Sequence, residues 1–177
     1  MNRSSDVSEI MRSAIVCDMT LPWFEPYMID EDLTLPRYKR AGINFVSLTI
    51  SVPRNSLAAT IRLISMVKAH IRARDDLVFV EDAEAIIAAK QRDKLALGFH
   101  FQGTEPLDGD IDLVQTYYDL GVRHMLLAYN LKNAVGDGCV ERTDGGLSKY
   151  GIRLIEEVNR VDVLVDGPDL RQGGAAH

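Results

Sequence analysis

The stretch LALGFHFQ, residues 95–102, constrains the fold more tightly than any other part of the chain. Leu95, Leu97, Phe99 and Phe101 fall on one side of an extended backbone, and Ala96, Gly98, His100 and Gln102 fall on the other. One side is apolar throughout. The other is small at its start and polar at its end. A surface strand carries polar residues along its whole wet face, so this pattern predicts a strand covered on both sides, with polar groups gathered where it runs out.

The remainder of the chain repeats the alternation on a larger scale. Short apolar segments at 13–18, 43–51, 77–80, 124–130 and 163–166 predict further strands. Segments 54–76, 82–93, 109–121 and 147–161 predict helices between them, with a shorter one from about residue 31 to Gly42. In the longest helix Leu57, Ile61, Ile64, Met66, Val67 and Ile71 supply the apolar spacing. Asp82 and Ser148 stand where N-caps are needed, and Gly42 and Gly121 where helices stop. Strands alternating with helices imply a parallel sheet covered by helices. In a closed barrel of this kind, functional groups collect at the C-terminal ends of the strands. The expectation from the alternation is a parallel α/β barrel in one domain. Its rim would carry Asp18, His100 with Gln102, Tyr129 with Asn130, and Asp166.

Composition narrows the function. With 46% hydrophobic residues and a mean hydropathy near zero, the chain is neither disordered nor membrane-like. Its apolar runs fall well short of the roughly 18 residues of a spanning helix, and the N-terminus lacks a signal-peptide core, which favours a cytoplasmic chain. A net charge of −6 speaks against a nucleic-acid partner. The basic clusters at 37–40 and 72–74 sit where helix ends are expected and complement the helix dipole. Cys17 and Cys139 match no metal or redox spacing and read as reduced thiols. The segment 131–146 is a polar, glycine-rich loop without a nucleotide-binding lysine, expected to be mobile with Asp137, Glu141, Arg142 and Asp144 solvated. Arg142 has the planar fork that suits a substrate carboxylate.

Three segments, CDMTLPW (17–23), GFHFQGTEPLDGDIDLVQTYYDLGVRHMLLAYN (98–130) and GLSKYGIRLIEEVNR (146–160), together resemble the membrane (renal) dipeptidase family of zinc peptidases. The resemblance runs from about residue 14 to 166. It implies a (β/α)8 barrel with two bridged zinc ions that hydrolyses dipeptides, the metal pair generating the nucleophile and polarising the scissile carbonyl. The family's His-x-Asp pair before Leu-Pro falls on Asp18 and Thr20, and its bridging glutamate on Gln102. A neutral amide cannot supply the bridging charge, although Gln102 offers one ligand oxygen and His100, on the same face, is a substitute donor. The family's strand-end histidine falls on Tyr129, beside Asn130, and a substrate-contacting histidine on Asp169. Trp23 matches the family's pattern at the pocket entrance.

The family's remaining metal ligands belong to a second half with no counterpart here, so the resemblance implies a partial (β/α)8 TIM-type barrel, a single incomplete domain over residues 1–177. The tail at 167–177 carries no strand or helix pattern and is expected to be non-native, as a frameshifted or partial reading frame would leave it, or disordered. A half-barrel exposes unpaired strand edges, so poor solubility or a homodimer is expected. Two functions fit: a truncated or divergent zinc dipeptidase, inactive as this chain, and a non-catalytic barrel relative that binds a small peptide or amino-acid derivative.

Overall fold

The computed structural model describes residues 3–22, 34–142 and 145–166. Among the described residues, six strands and six α-helices follow one another in the order α1 (Arg3–Ser13), β1 (Cys17–Pro22), α2 (Leu35–Arg40), β2 (Phe45–Ser51), α3 (Leu57–Arg72), β3 (Leu77–Phe79), α4 (Ala83–Gln91), β4 (Leu95–Phe101), α5 (Leu113–Asp119), β5 (Val122–Leu126), α6 (Lys149–Arg160) and β6 (Leu164–Asp166). The strand order is β1-β2-β4-β5-β6, with β3 also paired to β4. The β3–β4, β4–β5 and β5–β6 ladders are parallel. All seven residues of β2 and all seven of β4 are buried, as two-sided covering requires.

By compactness the chain divides into residues 1–48 with 67–98 and residues 49–66 with 99–177, so β2, α3 and β4 contribute to both units. In the first unit β3 pairs with the opening residues of β4, Leu77 opposite Leu95 and Phe79 opposite Leu97. Phe45, Val80, Ala89 and Ala96 form its apolar cluster. The small residues on the inner side of β4 have a steric reason: a Cβ on Gly98 would lie 2.9 Å from Phe45 Cζ. In the second unit β5 pairs with the end of β4, and Phe101 packs edge-on against Tyr117 of α5, with ring centroids 4.8 Å apart.

Helix boundaries follow local chemistry. Asp82 accepts a hydrogen bond from Ala85 N at 2.7 Å and Ser148 Oγ accepts one from Gly151 N at 3.0 Å, as caps of α4 and α6. Pro36 lies in the first turn of α2, where its missing N–H costs nothing. Along α3 the buried face is Thr60, Ile64, Val67 and Ile71, whereas Ile61 and Met66 are exposed. The apolar spacing therefore overstates that face at Ile61 and Met66 and misses Thr60, a buried helical position that hydropathy alone passes over.

The first strand departs from the sequence-based expectation. The chain is helical through Ser13, whose Oγ donates to Glu9 O and Ile10 O, and the strand runs from Cys17 to Pro22 rather than over 13–18. The apolar run Ala14–Val16 is a connector. Similarly, β5 ends at Leu126, and Leu127 and Ala128 are buried outside the ladder.

Candidate functional site

Asp18 is the second residue of β1, not its last. Its two carboxylate oxygens are engaged within the first unit. Thr20 N donates to Oδ1 at 2.9 Å, and Tyr38 Oη donates to Oδ2 at 2.9 Å. Burial, then the Asp18 hydrogen bond and charge, push the Tyr38 phenol above its usual pKa, which keeps it a donor.

The second unit holds a chain of polar side chains across four strands, β2, β4, β5 and β6. Thr49 Oγ1 and His100 Nε2 share a hydrogen bond of 2.9 Å. The His100 ring stacks on His124, with centroids 4.5 Å apart and planes 7° from parallel. Asp166 Oδ2 lies 4.0 Å from His124 Nδ1. The stack follows from register, since His100 and His124 are direct partners in the β4–β5 ladder and neighbouring strands lie about 4.8 Å apart. His100 is buried, and burial, then the proximity of His124, drives its pKa down to about 3. It is a neutral interior group rather than one opening onto solvent.

Gln102 follows the last residue of β4, half-buried, with its backbone N–H donating to Ser51 O at 2.8 Å. Ser51 Oγ donates to Gly103 O at 3.2 Å. Tyr129 is half-buried and Asn130 exposed. The loop that follows is held to them: Cys139 N donates to Tyr129 O and Val140 N to Asn130 O, at 2.9 and 3.0 Å. Gly138 must be glycine at this crossing, because a Cβ would lie 2.4 Å from Asn130 C. Within the loop Asp137 is buried, accepting from Lys132 Nζ and Gly145 N, each at 2.7 Å. These donors hold its carboxyl below the usual range, the Lys132 hydrogen bond foremost. Glu141 Oε1 accepts from Lys132 N at 2.7 Å. The loop is thus tied down by its own carboxylates, not solvated at Asp137, while Arg142 is exposed. Both cysteines are free thiols. Trp23, Asp144, Asp169 and the 167–177 tail lie outside the described residues.

The chain matches the profile of the membrane dipeptidases, peptidase family M19, over residues 17–170. It belongs to that family. Among curated relatives, an uncharacterized dipeptidase of Schizosaccharomyces pombe is 29% identical over 153 residues, covering 76% of this chain and 37% of the relative. Among solved structures, an amidohydrolase from Pseudomonas aeruginosa is 29% identical with a TM-score of 0.79, covering 92% of this chain and 48% of that one. A metallo peptidase from Rhodobacter sphaeroides, solved with a phosphinate mimic of the dipeptide L-Ala-D-Ala, shares the fold at 18% identity and a TM-score of 0.74, over 86% of this chain and 57% of that one. The fold class is accordingly the partial (β/α) barrel that the resemblance implies, built on the parallel sheet read from the alternation. The chain spans a little over a third of the S. pombe relative and about half of the P. aeruginosa amidohydrolase.

The residues present do not fit the bridged zinc pair that the resemblance implies. Asp18 has both oxygens in hydrogen bonds, Thr20 and Gln102 carry no charge, and His100 Nε2 is engaged by Thr49. Among the described residues no three His, Cys, Asp or Glu side chains come together as a metal-binding group. No described helix is long and apolar enough to cross a membrane.

Proposed function

We propose that this M19 chain is a divergent metallodipeptidase relative that does not hydrolyse dipeptides by itself. One observation carries the reading: the strand-end position of the bridging glutamate is the neutral Gln102, while Asp18 is committed to Tyr38 and Thr20. A carboxylate bridging two cations contributes charge that an amide lacks, so the paired-metal route to a hydroxide nucleophile has no anchor among these residues. The substitutions exchange polar groups for other polar groups, Asp18, Thr20, Gln102 and Tyr129, which favours a retained surface for a small dipeptide-like or amino-acid-derived ligand. In that role Asn130, Arg142 and Asp169 would contact the ligand, with Arg142 offering its fork to a carboxylate. Family membership supports the ligand class.

The test is zinc content and dipeptide hydrolysis measured together on the purified full chain, before and after incubation with zinc. The expected result is zinc well below one equivalent and no turnover above the buffer rate for any of a panel of L,L and L,D dipeptides. Stoichiometric zinc with saturable, chelator-sensitive hydrolysis would overturn the reading.

A further inference from the structure

The first unit carries an apolar slot of about 150 Å³. Val78, Phe79 and Val80, from β3 and its end, line it together with Ala85, Ala88 and Ala89 of α4. Side-chain size leaves the gap, since three alanines face the strand where longer residues would fill it. The slot lies over the cluster of Phe45, Val80, Ala89 and Ala96. Val78, Phe79 and Ala88 are half-buried, so each has surface to offer a ligand. An apolar cavity of this size holds a benzene ring.

The two other lining residues are Arg92 and Lys94, both cationic. Among the described residues neither side chain has an acidic partner. Asp93, which stands between them, turns its carboxylate to Lys39 Nζ at 3.1 Å. Nor does α4 need these cations as caps. Arg92 N donates to Ala88 O and Ala89 O, Asp93 N to Lys90 O, and Lys94 N to Ala89 O, so the last carbonyls already have backbone partners. The slot shares Val78, Phe79 and Lys94 with a wider cleft of about 400 Å³, which adds Lys68 and Arg72. Lys68 Nζ sits 4.4 Å from the centroid of the Phe79 ring. Arg74 also lines the cleft, but its charge is matched by Asp76 through two hydrogen bonds of 2.9 Å. Asp75 is the one acid of the lining. In a chain of net charge −6, positive charge is thus gathered at the mouth of an apolar slot.

We propose that the slot and its mouth bind a small aryl carboxylate, its ring against Val78, Phe79 and Ala88 and its carboxylate on Lys94 and Arg92. A neutral aromatic would fill the slot but leave both cations without a counter-charge. A simple anion would meet the cations but leave the slot empty. An organic cation is excluded by Arg92 and Lys94. The site does not depend on the dipeptide reading, because none of its residues is at a position argued above to hold metal or ligand.

The test is a titration of the full chain, followed by backbone amide resonances, with sodium phenylacetate and, at matched ionic strength, with its neutral isostere phenylacetamide and with sodium acetate. Saturable shifts at Val78, Phe79, Ala88 and Lys94 are expected with phenylacetate. Phenylacetamide and acetate should each bind at least about tenfold more weakly. K94M, which keeps the apolar stem and removes the charge, should weaken phenylacetate by about tenfold. A88L, which fills the slot, should abolish the shifts. The proposal is overturned if no saturable shift appears at these residues, if phenylacetamide or acetate binds as well as phenylacetate, or if either K94M or A88L leaves the affinity unchanged. Should A88L fail to fold, K94M and the comparison of the three ligands decide.

Discussion

His100 shows how one residue can be placed correctly on a strand face and still mean something different in three dimensions. Period-two alternation puts it beside Gln102, away from the phenylalanines, and that placement needs no structure. Its partners are not local. Thr49, bonded to Nε2, is 51 positions away, and His124 stacks on it through the β4–β5 register. No spacing in the sequence announces that a histidine two strand-lengths downstream will stack on another. The consequence is testable through pH. The folded His100 pKa is depressed to about 3, against about 6.5 in an unfolded chain, so above pH 6.5 the group is neutral in both states. As pH falls below that value, the unfolded chain takes a proton that the folded chain refuses, and stability is lost progressively toward pH 3. The loss attributable to this group is on the order of a few kcal/mol. Urea-unfolding free energies at pH 7.5 and 4.5 should fall more steeply for the wild type than for H100Q. Equal slopes would show that His100 is not the group being titrated.

At the scale of elements, most boundaries were legible because they are set within one turn. Asp82 and Ser148 stand where the sequence calls for caps, and both act as caps. Their substitution by alanine should each lower stability by about 1 kcal/mol. Asp112, at the start of α5, makes no side-chain cap bond, so D112A should change stability by less than about 0.5 kcal/mol. Thermal melts of the three variants check this, and a D112A loss equal to that of S148A would contradict the capping account. The misread elements failed for a shared reason. The apolar run at 14–16 looks like a strand start, but the preceding helix extends to Ser13 and uses it as a connector. The loop at 131–146 looks solvated because its composition is polar. In its described residues Asp137, Asn133 and Glu141 instead accept hydrogen bonds from backbone N–H groups of their own loop. Composition counts polar groups without recording what they bond to.

At the scale of the whole molecule, β6 carries the clearest liability. It pairs with β5, and within it Leu164 is 66% and Val165 37% exposed. Exposed apolar strand residues template association. Light scattering after size exclusion should therefore show concentration-dependent association of the full chain, reduced in L164K. A monodisperse monomer at high concentration, unchanged by L164K, would show that this strand is not the adhesive surface.

The sequence by itself determined the class of fold, since hydrophobic period, caps and glycine stops are local properties that survive without knowledge of neighbours. It also carried the family, because the segments at 17–23, 98–130 and 146–160 preserve an order of residues that no single physical pattern requires. Only the tertiary structure decided which polar groups meet. Asp18 spends its oxygens on Tyr38 and Thr20, and His100 finds Thr49 and His124. Those encounters depend on strand register and loop path, and both are fixed by burial across distant segments rather than by the residues that come to touch.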